Sequence, residues 1–113
     1  MIPLEYHLER GKILLYRRVS TPEFESWRAT GRLLPAPGGM AFGKHFTASP
    51  ELARRWGEEF MRRGWETELG RVLEVRLDSA HFPDIHFDPM ADGIGPQCFV
   101  PLPLLETADI SEV

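Results

Sequence analysis

Three polar side chains interrupt apolar stretches of this sequence and could act together on one ligand. Arg17 stands in the run ILLYRRV, His45 in GKHF and Gln97 in QCFV. An arginine can bind a phosphate or carboxylate through two parallel hydrogen bonds. A histidine can donate to a ligand ring or stack on it, and a glutamine can hydrogen-bond a hydroxyl or amide. If the three stretches are neighbouring strands, these side chains converge on one cleft.

Two hydroxyl side chains follow His45 and add hydrogen-bonding groups at the rim of such a cleft, namely Thr47 and Ser49. Ser49 is also typical of a helix cap, because Pro50 suits the first helical position and Glu51 suits the positive end of the helix dipole. A strand that leads directly into a helix places these side chains near a helix N-terminus, where anions are favoured. The stretch therefore predicts an anion-binding corner or, in the simpler interpretation, an ordinary strand–helix junction.

The rest of the pattern predicts the elements that must position these residues. Branched and aromatic runs predict strands, and Ser/Thr-Pro-Glu starts with glycine ends predict helices. The predicted strands cover 13–19, the start of the stretch 43–47, 71–77 and 97–100. Residues 1–11 are expected to form an arm or edge strand, and residues 108–113 a last edge strand or a frayed end. One predicted helix runs from Thr21, as cap, to Gly31, and the other from Pro50 to about Arg63. The loop Pro35–Gly39 is expected to be exposed and mobile, like a lid. This order predicts one α+β domain over 1–113, with a mostly antiparallel split sheet and two main helices.

Composition limits the classes of function. The net charge of −4 argues against broad binding of nucleic acids or anionic membranes. Cys98 is the single cysteine, so neither a disulfide framework nor a cysteine zinc site is expected. We see no pattern of a signal peptide and no apolar run of membrane-spanning length. A soluble, cytoplasmic protein with no membrane partner is the expectation.

The residues around the three polar positions resemble the ADP-ribosyltransferase fold. The resemblance rests on Leu14-Leu15-Tyr16-Arg17, on Gly43-Lys44-His45-Phe46-Thr47-Ala48-Ser49 with its helix, and on Gly95-Pro96-Gln97-Cys98-Phe99-Val100. The order of elements is similar to that of small bacterial toxin-type members and of the poly-ADP-ribose polymerase catalytic core. The resemblance covers about residues 13–106.

The resemblance implies a site for NAD as substrate. In that family an arginine or histidine on the first strand holds NAD, and Arg17 matches its place. His45 stands where a tyrosine cradles the nicotinamide, and Gln97 replaces the glutamate that orients the ribose. The implied cofactor-binding residues are Tyr16, Arg17, His45, Thr47 and Ser49, and the implied catalytic residues are His45 and Gln97. A glutamine lacks the charge that favours a developing cation.

The implied function is an NAD-binding protein that transfers ADP-ribose to a protein or nucleic-acid acceptor, or that hydrolyses NAD. The glutamine leaves a second interpretation open: a catalytically degenerate binding or regulatory module of the same fold, with a nucleotide or a cognate protein as its partner. Neither interpretation involves a metal.

A competing metal site is conceivable in the segment that contains Asp84, His86 and Asp88. These residues share one face if the segment is extended, and two carboxylates with an imidazole suit a divalent transition metal. A polar segment that packs Phe82 and Phe87 inward is the simpler interpretation. Cys98 is expected to be a buried small side chain, since a nucleophilic thiol needs a base and an open position. The three tryptophans, Trp27, Trp56 and Trp65, are expected to be core or near-core residues.

Overall fold

A computed structural model of the chain describes residues 2–35 and 42–113. The elements in chain order are β1 (His7–Glu9), β2 (Lys12–Val19), α1 (Thr21–Thr30), β3 (Gly43–Phe46), α2 (Pro50–Arg62), β4 (Arg71–Asp78), a 3₁₀ helix (Ser79–Asp84), β5 (His86–Ala91), β6 (Gly95–Pro101), α3 (Leu102–Leu105) and β7 (Asp109–Glu112). The loop predicted at Pro35–Gly39 lies, apart from Pro35, outside the described residues. Within the described residues, no helix is long and apolar enough to cross a membrane.

The strands form two antiparallel sheets. One sheet has four strands in the order β1-β2-β4-β7, and the other has three in the order β3-β6-β5. The outer strands of the first sheet are β1 and β7, so the first and last segments of the chain each contain a short edge strand. The fold is α+β with antiparallel sheets and few helices, as predicted.

Within the described residues, an isolated backbone bridge joins the two sheets at one corner. Tyr16, in the middle of β2, and Thr47, directly after β3, form an isolated antiparallel bridge. The Tyr16 amide donates to the Thr47 carbonyl at 3.0 Å, and the Thr47 amide donates to the Tyr16 carbonyl at 2.7 Å. The end of the second sheet therefore abuts the centre of the first, and residues of both strands meet there.

Alternation along β2 divides its side chains between two environments. Leu15 and Val19 belong to the main core, which also contains Phe46 and Val100 from the second sheet. Leu14 and Tyr16 point to the other face, where they pack with Ala53 of α2 and Val72 of β4. The apolar residues of the run 71–77 predict one shared core for Val72, Leu73, Val75 and Leu77. Val72 instead lies on the face opposite to the other three, so this prediction was wrong for Val72.

The capping residues in the sequence predicted the helix ends to within about one residue. The Ser49 hydroxyl accepts from the Leu52 amide at 3.1 Å and caps α2, and Gly64 takes a φ of +75° just after its end. Helix α1 ends at Gly31, which has a φ of 72°. Its cap is Ser20 rather than the predicted Thr21, because the Thr21 amide and hydroxyl instead donate to the Glu68 carboxylate at 2.6 and 2.7 Å.

Two sequence expectations about α2 and its C-terminal turn were wrong. The i, i+4 spacing of Glu58 and Arg62 predicts an ion pair on the surface of the helix, whereas Arg62 pairs with Glu59 through an Nε–Oε1 contact of 3.1 Å. Trp65 is 61% exposed and is not a core residue, because it lies beyond the helix in the turn to β4. Trp56 is buried as expected.

Candidate functional site

A small cleft opens at the corner where the sheets meet and is closed on one side by α2. Its volume is about 50 Å³, enough for a few water molecules but not for a nucleotide. The residues that line it are Tyr16, Arg17, Arg18, His45, Phe46, Thr47, Ala53, Trp56, Phe60 and Gln97. The structure thus brings together five of the six residues singled out from the sequence. The sixth, Ser49, is not in the lining.

Arg17 reaches the cleft from β2 with its charge already paired. Its Nε and Nη2 donate to the two carboxylate oxygens of Glu23 at 2.7 and 2.9 Å. Its Nη1 donates to the main-chain carbonyl of His45 at 2.9 Å. A guanidinium has five N–H groups, so two have no partner among the described residues. The side chain is 20% exposed, which leaves part of it accessible to a ligand.

Glu23 also faces a second cation, Lys44, which the sequence gave no reason to expect in the interior. The Lys44 ammonium lies 3.6 Å from the Glu23 carboxylate and its side chain is only 5% exposed. Burial raises the pKa of Glu23, but the hydrogen bonds and charges of Arg17 and Lys44 outweigh this effect and lower the pKa overall. Two cations on one carboxylate leave the cluster with net positive charge.

His45 lies on the outer face of β3, opposite Phe99 of β6. The two rings meet edge to face with centroids 5.2 Å apart. Burial lowers the pKa of His45, and the nearby charge of Arg17 lowers it further. The imidazole is therefore mainly neutral at pH 7, so it can both donate and accept a hydrogen bond.

Gln97 and Thr47 occupy the second sheet's side of the cleft. The Thr47 hydroxyl is committed to the Pro96 carbonyl at 2.6 Å, and Thr47 is nearly fully buried. The Gln97 side chain is half-buried and makes no hydrogen bond with the described part of the chain. Of the two, Gln97 has the polar group that is free for a ligand.

Tyr16 lines the cleft with its ring, while its hydroxyl points elsewhere. The phenol donates to Glu74 of β4 at 3.0 Å. Burial, followed by this hydrogen bond, raises the pKa of Tyr16 to about 12. The phenol is therefore a neutral structural donor at physiological pH, and the contribution of Tyr16 to the cleft is its apolar surface.

Arg18 was missed as a site residue and has a different function from Arg17. Its Nε and Nη2 donate to the carbonyls of Leu69 and Glu68 at 2.9 and 2.8 Å, and its Nη1 contacts Glu66 at 3.2 Å. The side chain is only 5% exposed. Arg18 therefore anchors the turn 65–70 between α2 and β4, and its guanidinium also lies 5.9 Å from the Phe60 ring centroid.

Neither the segment 84–88, considered as a metal site, nor Cys98, considered as a nucleophile, has the surroundings that its chemistry requires. Among residues 2–35 and 42–113, no group of three or more His, Cys, Asp or Glu side chains is placed to hold a metal ion. Asp84 ends the 3₁₀ helix rather than sharing a strand with His86. Phe82 and Phe87 pack against the main core, which supports the simpler interpretation of that segment. Burial raises the pKa of Cys98 to about 12, so its thiol stays protonated.

Comparisons of this chain with protein-family models, with curated proteins and with solved structures find no match.

Proposed function

We propose that this chain is an NAD-binding protein of the ADP-ribosyltransferase type, with its nicotinamide end at the cleft between the two sheets. The observation that carries the proposal is the convergence of Tyr16, Arg17, His45, Thr47 and Gln97 on that cleft. These residues come from three separate strand regions, and their residue types predict a shared site. Their meeting at one place is what a shared ligand requires.

Each polar group has a distinct function in this proposal. The two free N–H groups of Arg17 bind the phosphates, and the net positive charge of its cluster with Glu23 and Lys44 adds attraction. The neutral His45 ring lies beside the nicotinamide. The Gln97 amide hydrogen-bonds a ribose hydroxyl. Because the cleft holds only a few water molecules, the rest of the nucleotide must extend over its rim.

The proposed chemistry is cleavage of the bond between the ribose C1′ and the nicotinamide nitrogen. The bonding electrons leave with the nicotinamide, and water or an acceptor hydroxyl then adds to C1′ and gives up its proton. A glutamine at position 97 holds the ribose but does not supply negative charge to the oxocarbenium-like transition state. We therefore expect slow turnover compared with a glutamate-containing site.

A calorimetric titration of the purified protein with NAD tests the proposal. We expect saturable binding by the wild-type protein and its loss in Arg17→Ala. The matched control is Glu23→Gln, which keeps Arg17 but breaks the same ion pair and so retains binding. No saturable heat with the wild-type protein, or unchanged affinity in a folded Arg17→Ala variant, would overturn the proposal.

A second candidate is a degenerate module of the same type that binds a nucleotide or a protein partner without turnover. The observation that favours it is Gln97 itself, whose uncharged amide lines the cleft. Gln97→Glu separates the two candidates. If the cleft is catalytic, restoring the carboxylate increases NAD turnover, measured as released nicotinamide. If the chain is a binding module, Gln97→Glu shows no more turnover than the wild-type protein.

A further inference from the structure

Trp65 is a large aromatic side chain that the fold leaves in solvent. It is 61% exposed, although tryptophan is on average one of the more buried residue types. It lies in the turn that follows α2, beyond the last residue of that helix. Tryptophan is enriched at binding interfaces, and an aromatic ring offers a face on which a nucleic-acid base can stack.

The backbone around Trp65 is well anchored. The Trp65 amide donates to the Phe60 carbonyl at 2.9 Å, and the Glu66 amide contacts the same carbonyl at 3.3 Å. Gly64, with a φ of +75°, provides the left-handed residue that such a helix end needs. Arg18 then holds the remainder of the turn through the carbonyls of Glu68 and Leu69. A ligand that stacks on Trp65 would therefore pay little for ordering the loop.

Trp65 is connected to the cleft through Phe60. The Phe60 ring lines the cleft, and its centroid lies 5.8 Å from that of Trp65. The Arg63 guanidinium lies 5.1 Å from the Trp65 ring centroid, so a positive charge accompanies the aromatic surface. Phe60, Trp65 and Arg63 thus extend the site outward from the cleft, and we call these three residues the aromatic rim.

We propose that the aromatic rim binds the adenine base of the nucleotide, with the base stacked on Trp65. This inference rests on the proposed function, because it assigns the far end of the same ligand. A cleft of about 50 Å³ leaves the adenosine half outside, and the rim adjoins its lining. Stacking of bases on aromatic side chains is tolerant of geometry and strong enough to contribute measurable affinity. The neighbouring Arg63 guanidinium suits the anionic phosphates of the same ligand.

The test compares ligands with and without adenine. Wild-type protein and Trp65→Ala are titrated with NAD, with ADP-ribose and with nicotinamide mononucleotide, which has no adenine. We expect Trp65→Ala to lower the affinity for NAD and for ADP-ribose at least about fivefold, which is the lower end of the usual contribution of one stacked base. Nicotinamide mononucleotide should bind both proteins equally. Trp65→Phe keeps an aromatic ring and should show a smaller loss.

Leu69→Ala provides the matched control, because Leu69 is a 54% exposed apolar residue in the same turn. It should leave all three affinities unchanged, and thermal melting should show that each variant folds. Wild-type binding of NAD with equal affinity in Trp65→Ala overturns the rim assignment alone, as does an equal loss for all three ligands. In that case a protein contact becomes the better explanation of the exposed tryptophan. No binding of any ligand by the wild-type protein overturns the proposed function and this inference together.

Discussion

Arg17 and Arg18 are neighbours in the chain, and each has three hydrogen-bonding contacts, but the surroundings of the two side chains differ. Arg17 pairs with a carboxylate that it shares with Lys44 and remains 20% exposed beside the cleft. Arg18 is 5% exposed, and two of its three partners are main-chain carbonyls of the turn 65–70. Alternation along β2 sends them to opposite faces of one sheet. The comparison shows that a residue's type and its presence in a strand do not define its function, whereas its partners and exposure do.

The largest loss of stability is expected for Arg18→Ala. It removes the three hydrogen bonds by which a side chain that is only 5% exposed holds the turn 65–70, and it removes packing against Phe60. We expect a loss of about 2–4 kcal/mol in the free energy of unfolding, measured by urea denaturation. Arg17→Ala should cost less, because Lys44 still faces Glu23. Equal losses in the two variants would contradict the contrast between them.

A smaller, pH-dependent loss of stability is expected for Glu23→Gln, because this change leaves two cations without their carboxylate. We expect a loss of about 2 kcal/mol at pH 7. Because the pKa of Glu23 is lowered in the folded state, its ion pairs stabilise the protein above the unfolded value of about 4.3. That stability disappears as the pH falls from there through the folded pKa. Stability of the variant measured between pH 7 and 3 should therefore depend less on pH than that of the wild type, and parallel curves would contradict this expectation.

The smallest effect is expected for Glu66→Gln, on the Arg18 side. The Glu66 side chain is 36% exposed, and Arg18 keeps its two carbonyl acceptors. We expect a change below about 1 kcal/mol at pH 7, measured by urea denaturation beside Glu23→Gln. If both carboxylate variants are equally destabilised, then the turn depends on the ion pair, and the carbonyl contacts are not its main anchor.

The sequence predicted most of the elements because their signals are local. Alternation placed Arg17 and Arg18 on opposite faces of β2, and Ser49 and Gly31 marked helix ends correctly. The grouping of Arg17, His45 and Gln97 followed from one idea, that polar residues in apolar strands converge on a ligand. That grouping is seen in the structure, while its function stays a prediction.

Two of the features that sequence reasoning missed are contacts between separate elements, and the third is the exposure of one side chain. The pairing of Arg17 with Glu23 requires the α1 helix to fold back onto β2, and the burial of Lys44 depends on the same contact. Trp65 was assigned to the core by residue type alone, although its position past the end of α2 decides its exposure. Charge pairing between elements gives no periodic signal, so the pairing of Glu23 with Arg17 and Lys44 could be found only from the three-dimensional arrangement.

The bridge between Tyr16 and Thr47 has a consequence for motion. The pair of hydrogen bonds at this corner joins the backbones of the two sheets, so any separation of the sheets here breaks both bonds. The amide protons of Tyr16 and Thr47 then act as reporters of opening, because each is protected by a bond across the sheets. A ligand that binds at this corner and contacts both sheets should slow deuterium uptake at these two amides more than in the middle of β4.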